Sequence, residues 1–182
     1  MTRYGIVAMS AKPYHGGHDG LVRVAAAEND TVKLYVSTSD RKRKGELPIS
    51  GAAMAEIWER FIIPSLPGNV DVELGGVPIR KVYEFLGAEN EAGSEDTYTI
   101  YGDPTDVNRN FPPGSLEKYM PELYAKGRIQ LEPVQRTATV DVSVTKMRQW
   151  LESGDKESFI AHLPEPLQAH GDEVWQMLAP RP

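Results

Sequence analysis

A chain of 182 residues with 40% hydrophobic and 25% charged side chains can bury a full core, and its composition excludes the disordered and fibrous classes. The absence of cysteine excludes disulfide frameworks and thiolate metal sites and suits a reducing compartment, so a cytoplasmic location is expected by default. The net charge of −6 argues against broad nucleic-acid binding, and with no signal-peptide core and no apolar run near the ~18 residues of a membrane span, neither nucleic acid nor membrane is expected as a partner.

In chain order, the apolar residues 6–9 read as a first strand and residues 19–28 as an Ala-rich helix with Leu21, Val22, Val24 and Ala25 on its apolar side. Residues 31–37 alternate Val32, Leu34 and Val36 and read as a second strand, followed by a polar loop at 39–45. Ser50 is an N-cap for a helix carrying Met54, Ile57, Trp58 and Phe61 and ended by Pro64. Residues 70–74 read as strand three, 79–86 as a helix, 89–96 as a polar mobile loop, and 97–101 as strand four. A short fifth strand at 129–133 precedes a helix that Ser143 opens, that runs through Leu151 and that Gly154 closes. Of the larger aromatic residues, Trp58, Tyr83, Tyr101, Phe111 and Trp150 are assigned mostly to the core. Strands separated by helices of this length imply right-handed crossovers and an α/β, Rossmann-like open parallel sheet of about five strands with helices on both faces. Residues 1–182 are expected to form a single domain, with 152–182, including a last helix around 172–178, as a C-terminal helical extension.

The chemistry-bearing run is Lys12-Pro13-Tyr14-His15-Gly16-Gly17-His18, set between the first strand and the first helix. In open α/β sheets the crevice at the carboxyl ends of strands is where ligands bind. Two glycines let a phosphate approach the backbone, a helix N-terminus offers N–H groups, and the two imidazoles offer hydrogen bonds or charge. Lys12 could reach a phosphate or be an exposed loop lysine. The Arg41-Lys42-Arg43-Lys44 run reads as a solvated loop, as a nucleic-acid patch, or as a set of cations on the same sheet edge as His15, able to draw in an anionic substrate. A zinc site is the weaker alternative, because the remaining histidines, His162 and His170, have no ligating spacing, and no protein metal site is assigned.

Pro13-Tyr14-His15-Gly16-Gly17-His18 resembles the Pro-Phe-His-x-Gly-His signature of the nucleotidyltransferase superfamily, and Val142-Ser143-Val144-Thr145-Lys146-Met147-Arg148 resembles its Ile-Ser-Ser-Thr-x-x-Arg motif. Val144 replaces a serine there, so one hydroxyl of the pattern is missing. The resemblance implies that His15 and His18 contact the triphosphate and the transition state, with Lys12 and Arg148 as further catalytic cations and Tyr14, Gly16 and Gly17 beside the nucleotide. It also implies that Ser143, Thr145 and Arg148 bind the β- and γ-phosphates. Read without the resemblance, Ser143 is an N-cap and Arg148 a solvated helix residue. The segment Tyr101-Gly102-Asp103-Pro104-Thr105-Asp106 is similar to a Gly-x-Asp segment that faces the nucleoside in this superfamily, which would put Gly102, Asp103 and Asp106 there; an Asp-Pro turn is the alternative.

The resemblance implies an enzyme that moves a nucleoside monophosphate, preferably AMP from ATP, onto a phosphorylated small molecule with release of pyrophosphate, with Mg²⁺ carried by the phosphates. Nicotinamide mononucleotide is the leading acceptor. A cytidylyltransferase using CTP is the runner-up, faintly favoured by Arg136-Thr137 upstream of Ser143. A nucleotide-binding sensor without turnover comes next, favoured by Val144, and a metal-dependent hydrolase is the poorest fit. Assembly into a homo-oligomer is left open.

Overall fold

The computed structural model describes residues 1–135 and 143–180. Five strands form one sheet: β1 (Arg3–Met9), β2 (Thr31–Val36), β3 (Val70–Leu74), β4 (Thr97–Gly102) and β5 (Ile129–Pro133). All pairings are parallel, in the order β3-β2-β1-β4-β5. The helices are α1 (Gly16–Glu28), α2 (Gly51–Ile57), α3 (Pro78–Glu91), α4 (Pro104–Asn110), α5 (Ser115–Tyr119), α6 (Pro121–Ala125), α7 (Val144–Ser153), α8 (Lys156–Ala161), α9 (Glu165–Gln168) and α10 (Gly171–Leu178). This is the expected Rossmann-like architecture, an open parallel sheet with helices around it, and its strand order reverses between β1 and β4, the switch point where such sheets bind ligands. Among the described residues, no helix is long and apolar enough to cross a membrane.

The chain divides into two compact units, Met1–Met9 with Leu21–Val36 and Pro67–Gln135, and Ser10–Gly20 with Ser37–Leu66 and Arg136–Pro182. The first holds the whole sheet. Its core joins Ile6, Tyr35, Val82, Leu86, Tyr98, Ile100, Phe111, Met120 and Leu123. Strand β2 buries Tyr35 as well as Val32, Leu34 and Val36, because a parallel strand is covered on both faces where simple alternation predicts only one.

Several expectations need correction. Residues 89–96 are not all loop: α3 runs to Glu91, and Tyr98 donates its hydroxyl to Glu89 at 2.7 Å, which ties the last helical turn to β4. Val24 is exposed, so the buried stripe of α1 is Val22, Ala25 and Ala26. Tyr83 and Trp150 are half-buried, whereas Trp58, Tyr101 and Phe111 are in the core. In the second unit Ser50 caps α2 as expected, its hydroxyl accepting from the Ala53 N–H at 3.1 Å. Beyond Ile57 the helix widens into a π-turn at Trp58–Ile62 and tightens into a 3₁₀ turn at Ile63–Ser65. Pro64 supplies the reason, since it has no N–H for the Arg60 carbonyl and its ring crowds that position.

Candidate functional site

The second unit contains both sequence motifs. The segment Ser10–Gly20 continues directly from β1, and Ala11 sits in the left-handed region at φ 50°, with the Lys12–Pro13 bond cis. Lys12 is not an exposed loop lysine. It is 4% exposed, and its ammonium donates to the carbonyls of Ser37 at 2.8 Å and Ser10 at 3.2 Å. Burial pushes its pKa down, with Asp40 pulling it up and Arg41 lowering it further.

Tyr14 is fully buried. Its ring packs on Trp58 (centroids 4.8 Å apart) and stacks on His18 (5.5 Å), and its hydroxyl donates to Asp19 Oδ1 at 2.9 Å. This places the buried Tyr14 ring between Trp58 and His18, as a support for His18. His15 is buried and His18 half-buried, with ring centroids 3.9 Å apart. His15 Nδ1 accepts from the Gly17 N–H at 2.9 Å, and His18 Nδ1 accepts from the His15 N–H at 3.1 Å. Both Nδ1 atoms are therefore acceptors, which puts the proton of each neutral ring on Nε2. The Gly16 N–H donates to the His162 carbonyl at 3.0 Å. The Gly16 and Gly17 amides are thus both donated inside the unit, and of the two imidazoles His15 is fully buried, Nε2 included, while His18 is half-buried.

The second motif opens α7. Ser143 is its N-cap, accepting from the Lys146 N–H at 3.2 Å, and Gly154 closes it at φ 80°. Thr145 is exposed on the first turn, while Val142, Arg136 and Thr137 lie outside the described residues. Arg148 is not solvated. It is 4% exposed, donates Nη1–H to the Lys12 carbonyl at 3.0 Å, and reaches Thr145 Oγ1 at 3.5 Å. Two motifs 136 residues apart are thereby joined by one buried guanidinium. Burial and Arg41 depress the Arg148 pKa and Glu46 raises it, but a guanidinium stays charged throughout.

The polar loop after Ser37 is a closed structure. Arg41 and Ile49 pair as an antiparallel bridge, with N–H···O distances of 2.9 and 3.0 Å. Asp40 Oδ1 accepts the Gly51 N–H at 2.8 Å, and a Cβ at Gly51 would lie 1.9 Å from the Thr38 carbonyl oxygen, so the loop packs against α2 only because that residue is glycine. Ser10, Lys12, Ser39, Asp40, Arg41, Lys42 and Arg43 line a cavity of about 370 Å³. The basic run is a cavity wall shared with Lys12. Lys44 is exposed and outside that lining. Sequence reasoning missed Glu46, whose carboxylate takes Arg41 Nε–H and Nη2–H at 3.0 and 3.1 Å and lies 3.6 Å from Arg148 Nε. Arg41 first and Arg148 next hold its pKa below the ordinary value. Its place two residues after a basic run carries no signal until the hairpin folds back.

Gly102, Asp103 and Asp106 belong to the first unit. Asp103 is the N-cap of α4, accepting the Asp106 N–H at 2.9 Å with Pro104 at the first helical position, so the Asp-Pro turn is a helix start. Gly102 leaves room for Val107, whose Cγ2 would be 2.8 Å from an added Cβ, and Asp106 pairs with Arg109. Among the described residues, no group of three or more His, Asp or Glu side chains could hold a metal ion.

A five-stranded parallel sheet that reverses order at β1, with two histidines on the turn that follows β1, defines an α/β protein of the open, Rossmann-like kind. Solved structures with this fold include mononucleotide adenylyltransferases. Nicotinic acid mononucleotide adenylyltransferase from Plasmodium falciparum superposes with a TM-score of 0.61 at 10% identity, covering 97% of this chain and 98% of that one. A protein provisionally assigned as a nicotinate-nucleotide adenylyltransferase from Vibrio parahaemolyticus gives 0.59 at 15% identity over 94% and 99%. The bifunctional NMN adenylyltransferase/ADP ribose pyrophosphatase of Francisella tularensis gives 0.60 at 14% identity over 97% of this chain, which spans about half (52%) of that longer protein. These identities make the likeness one of fold. No family model matches the sequence, and no curated protein matches it.

Proposed function

We propose that the protein is a nucleotidyltransferase that transfers a nucleoside monophosphate, preferably AMP from ATP, to a phosphorylated small molecule, with nicotinamide mononucleotide as the leading acceptor. The observation that carries this reading is the Arg148–Lys12 hydrogen bond at 3.0 Å, which ties the serine–threonine–arginine motif to the histidine motif beside a cavity walled by Lys12, Arg41, Lys42 and Arg43. The names of the structures sharing its fold agree with it.

In this reaction an oxygen of the acceptor phosphate forms a bond to the α-phosphorus of the triphosphate, the bond from that phosphorus to the bridging oxygen breaks, and pyrophosphate departs with the electron pair. No protein nucleophile is required. The demand is for donors and cations around the five-coordinate phosphorus and the leaving group. His18 supplies an Nε2 donor, its ring held by its Nδ1 hydrogen bond and by Tyr14, and the buried His15 ring backs it with its own Nδ1 held by the Gly17 N–H. The cations of the cavity wall supply the charge that pyrophosphate needs. Thr145 and Ser143 stand at the N-terminus of α7, where a phosphate meets the positive end of the helix dipole. Magnesium, carried by the triphosphate, would supply positive charge at the phosphates, and no residue of this chain is assigned to hold it.

The test is pyrophosphate release with ATP or CTP, magnesium and a panel of phosphorylated acceptors including nicotinamide mononucleotide. Turnover with ATP and that acceptor supports the full reading, and turnover with CTP alone moves the protein to cytidylyl transfer. Absence of turnover with every pair overturns the enzymatic reading in favour of nucleotide binding without chemistry.

A further inference from the structure

Arg41 lines the cavity with a planar fork of N–H donors, a group suited to grip a phosphate, and that fork is already in use. Its Nε–H and Nη2–H donate side-on to the two oxygens of Glu46 at 3.0 and 3.1 Å, the same two-point geometry in which a guanidinium holds a phosphate. Glu46 Oε2 is also 3.6 Å from Nε of Arg148, the buried arginine of the second motif. One carboxylate thus sits between two arginines contributed by separate segments of the second unit. The carboxylate that lines the cavity, Asp40, has its Oδ1 engaged by the Gly51 N–H, and the Lys12 ammonium is committed to the Ser37 and Ser10 carbonyls. Of the other cations on the cavity wall, Lys42 lies 3.7 Å from Asp40 and Arg43 is exposed, so an incoming anion meets these first, and the two-arginine grip behind them is the one that Glu46 occupies.

Glu46 is also placed to leave. Its side chain is 32% exposed, and it sits in a hairpin closed at its base by the Arg41–Ile49 bridge, with exposed Lys44 and Gly45 at the tip. A swing of this side chain into solvent breaks no backbone pairing.

We infer that Glu46 is an internal competitor for the polyphosphate site: its carboxylate holds Arg41 and Arg148 together in the empty protein and is displaced when a di- or triphosphate enters. This rests on the proposed nucleotide-transfer reading for the site's purpose, though not for its anion binding. Glu46 acts through the two arginines and so positions them without touching the reacting atoms. It sets a threshold, because only a ligand with more negative charge than one carboxylate takes both guanidiniums from it.

The experiment is calorimetric titration of pyrophosphate, with and without magnesium, into the full-length protein and into Glu46→Gln, which keeps the side chain's size and removes its charge. The variant is expected to bind about tenfold more tightly, because one competing ion pair and one repulsive charge are gone, and the gain is expected to shrink at high salt. Damage to the fold weakens binding, so tightening is a result that a merely structural role does not produce. Equal or weaker binding by a folded variant overturns the inference. Should Glu46→Gln not fold, the unmutated protein decides: the Arg41 and Arg148 Nε–Hε resonances and the Glu46 carboxyl carbon must all shift on adding pyrophosphate, and a stationary Glu46 signal overturns the inference. Tightening without turnover on any triphosphate keeps the competitor and sinks the transferase reading. Pyrophosphate binding by neither protein sinks both.

Discussion

Replacing Arg148 with alanine removes a guanidinium that is 4% exposed and donates to the Lys12 carbonyl at 3.0 Å. Thr145 Oγ1 at 3.5 Å is at the limit of a hydrogen bond, and Glu46 at 3.6 Å is a partner open to solvent screening, so the Lys12 contact carries most of the weight. Loss of a buried hydrogen bond from a charged donor costs about 1.5–3 kcal/mol, and loss of the packed aliphatic stem adds about 1 kcal/mol. The sum, about 3 kcal/mol, corresponds to a Tm lower by roughly 6–12 °C for a chain of this size. Arg148→Lys keeps the charge but cannot reach the Lys12 carbonyl and Glu46 together, so an intermediate loss is expected. Thermal unfolding followed by circular dichroism reads both variants, and pyrophosphate release on the folded fraction reads the site. An Arg148→Ala protein that melts with the parent would show a solvated helix arginine and refute the buried link between the two motifs.

Other substitutions probe the remaining supports. Gly51→Ala pushes a Cβ to 1.9 Å from the Thr38 carbonyl oxygen, and the resulting shift of backbone is expected to cost about 3 kcal/mol or more in urea unfolding, where an unchanged midpoint would contradict the packing. His18→Ala removes a donor from the proposed transition-state site and is expected to lower turnover by about 10²–10³ with little change in KM; a loss of stability with kcat retained would mark the histidine as structural. Burial lowers the Lys12 pKa from its ordinary 10.5, so just below that value the unfolded chain holds more protons than the folded one, and the contribution of this group to stability rises with pH there. The difference in unfolding free energy between the parent and Lys12→Met should therefore grow from neutral pH to 10.5, and a flat or falling difference would count against burial of the charge.

Much of the fold was legible because its signals are local. Strand β3 and strand β5 have the boundaries their apolar patterns predict, Ser50 and Ser143 cap the helices they precede, and Gly154 ends α7. The errors fall where tertiary contacts overrule local preference. Glu89 looks like loop and is helix because Tyr98 reaches it, and α4 was hidden because Asp103-Pro104 signals a turn and a helix start equally well. Tyr14 reads as part of a ligand motif, yet Trp58, 44 positions away, takes its ring into the core.

The candidate site divides along the same line. By itself the sequence determined the residue types and their spacing: two histidines around two glycines after a strand, a hydroxyl-rich helix start with an arginine four residues beyond its first helical residue, and a basic run after the second strand. Those features follow from covalent neighbours and from the periods of helix and strand. Only the tertiary structure decided that the Lys12 ammonium is buried among carbonyls, that the Gly16 and Gly17 amides are already donated, that Arg148 bonds to Lys12, and that Glu46 stands between two arginines. Apart from the local bond of the Gly17 amide to His15, these rest on contacts between separate segments of the chain. Their existence depends on which charged and polar groups lose water together, a quantity that no spacing along the chain encodes.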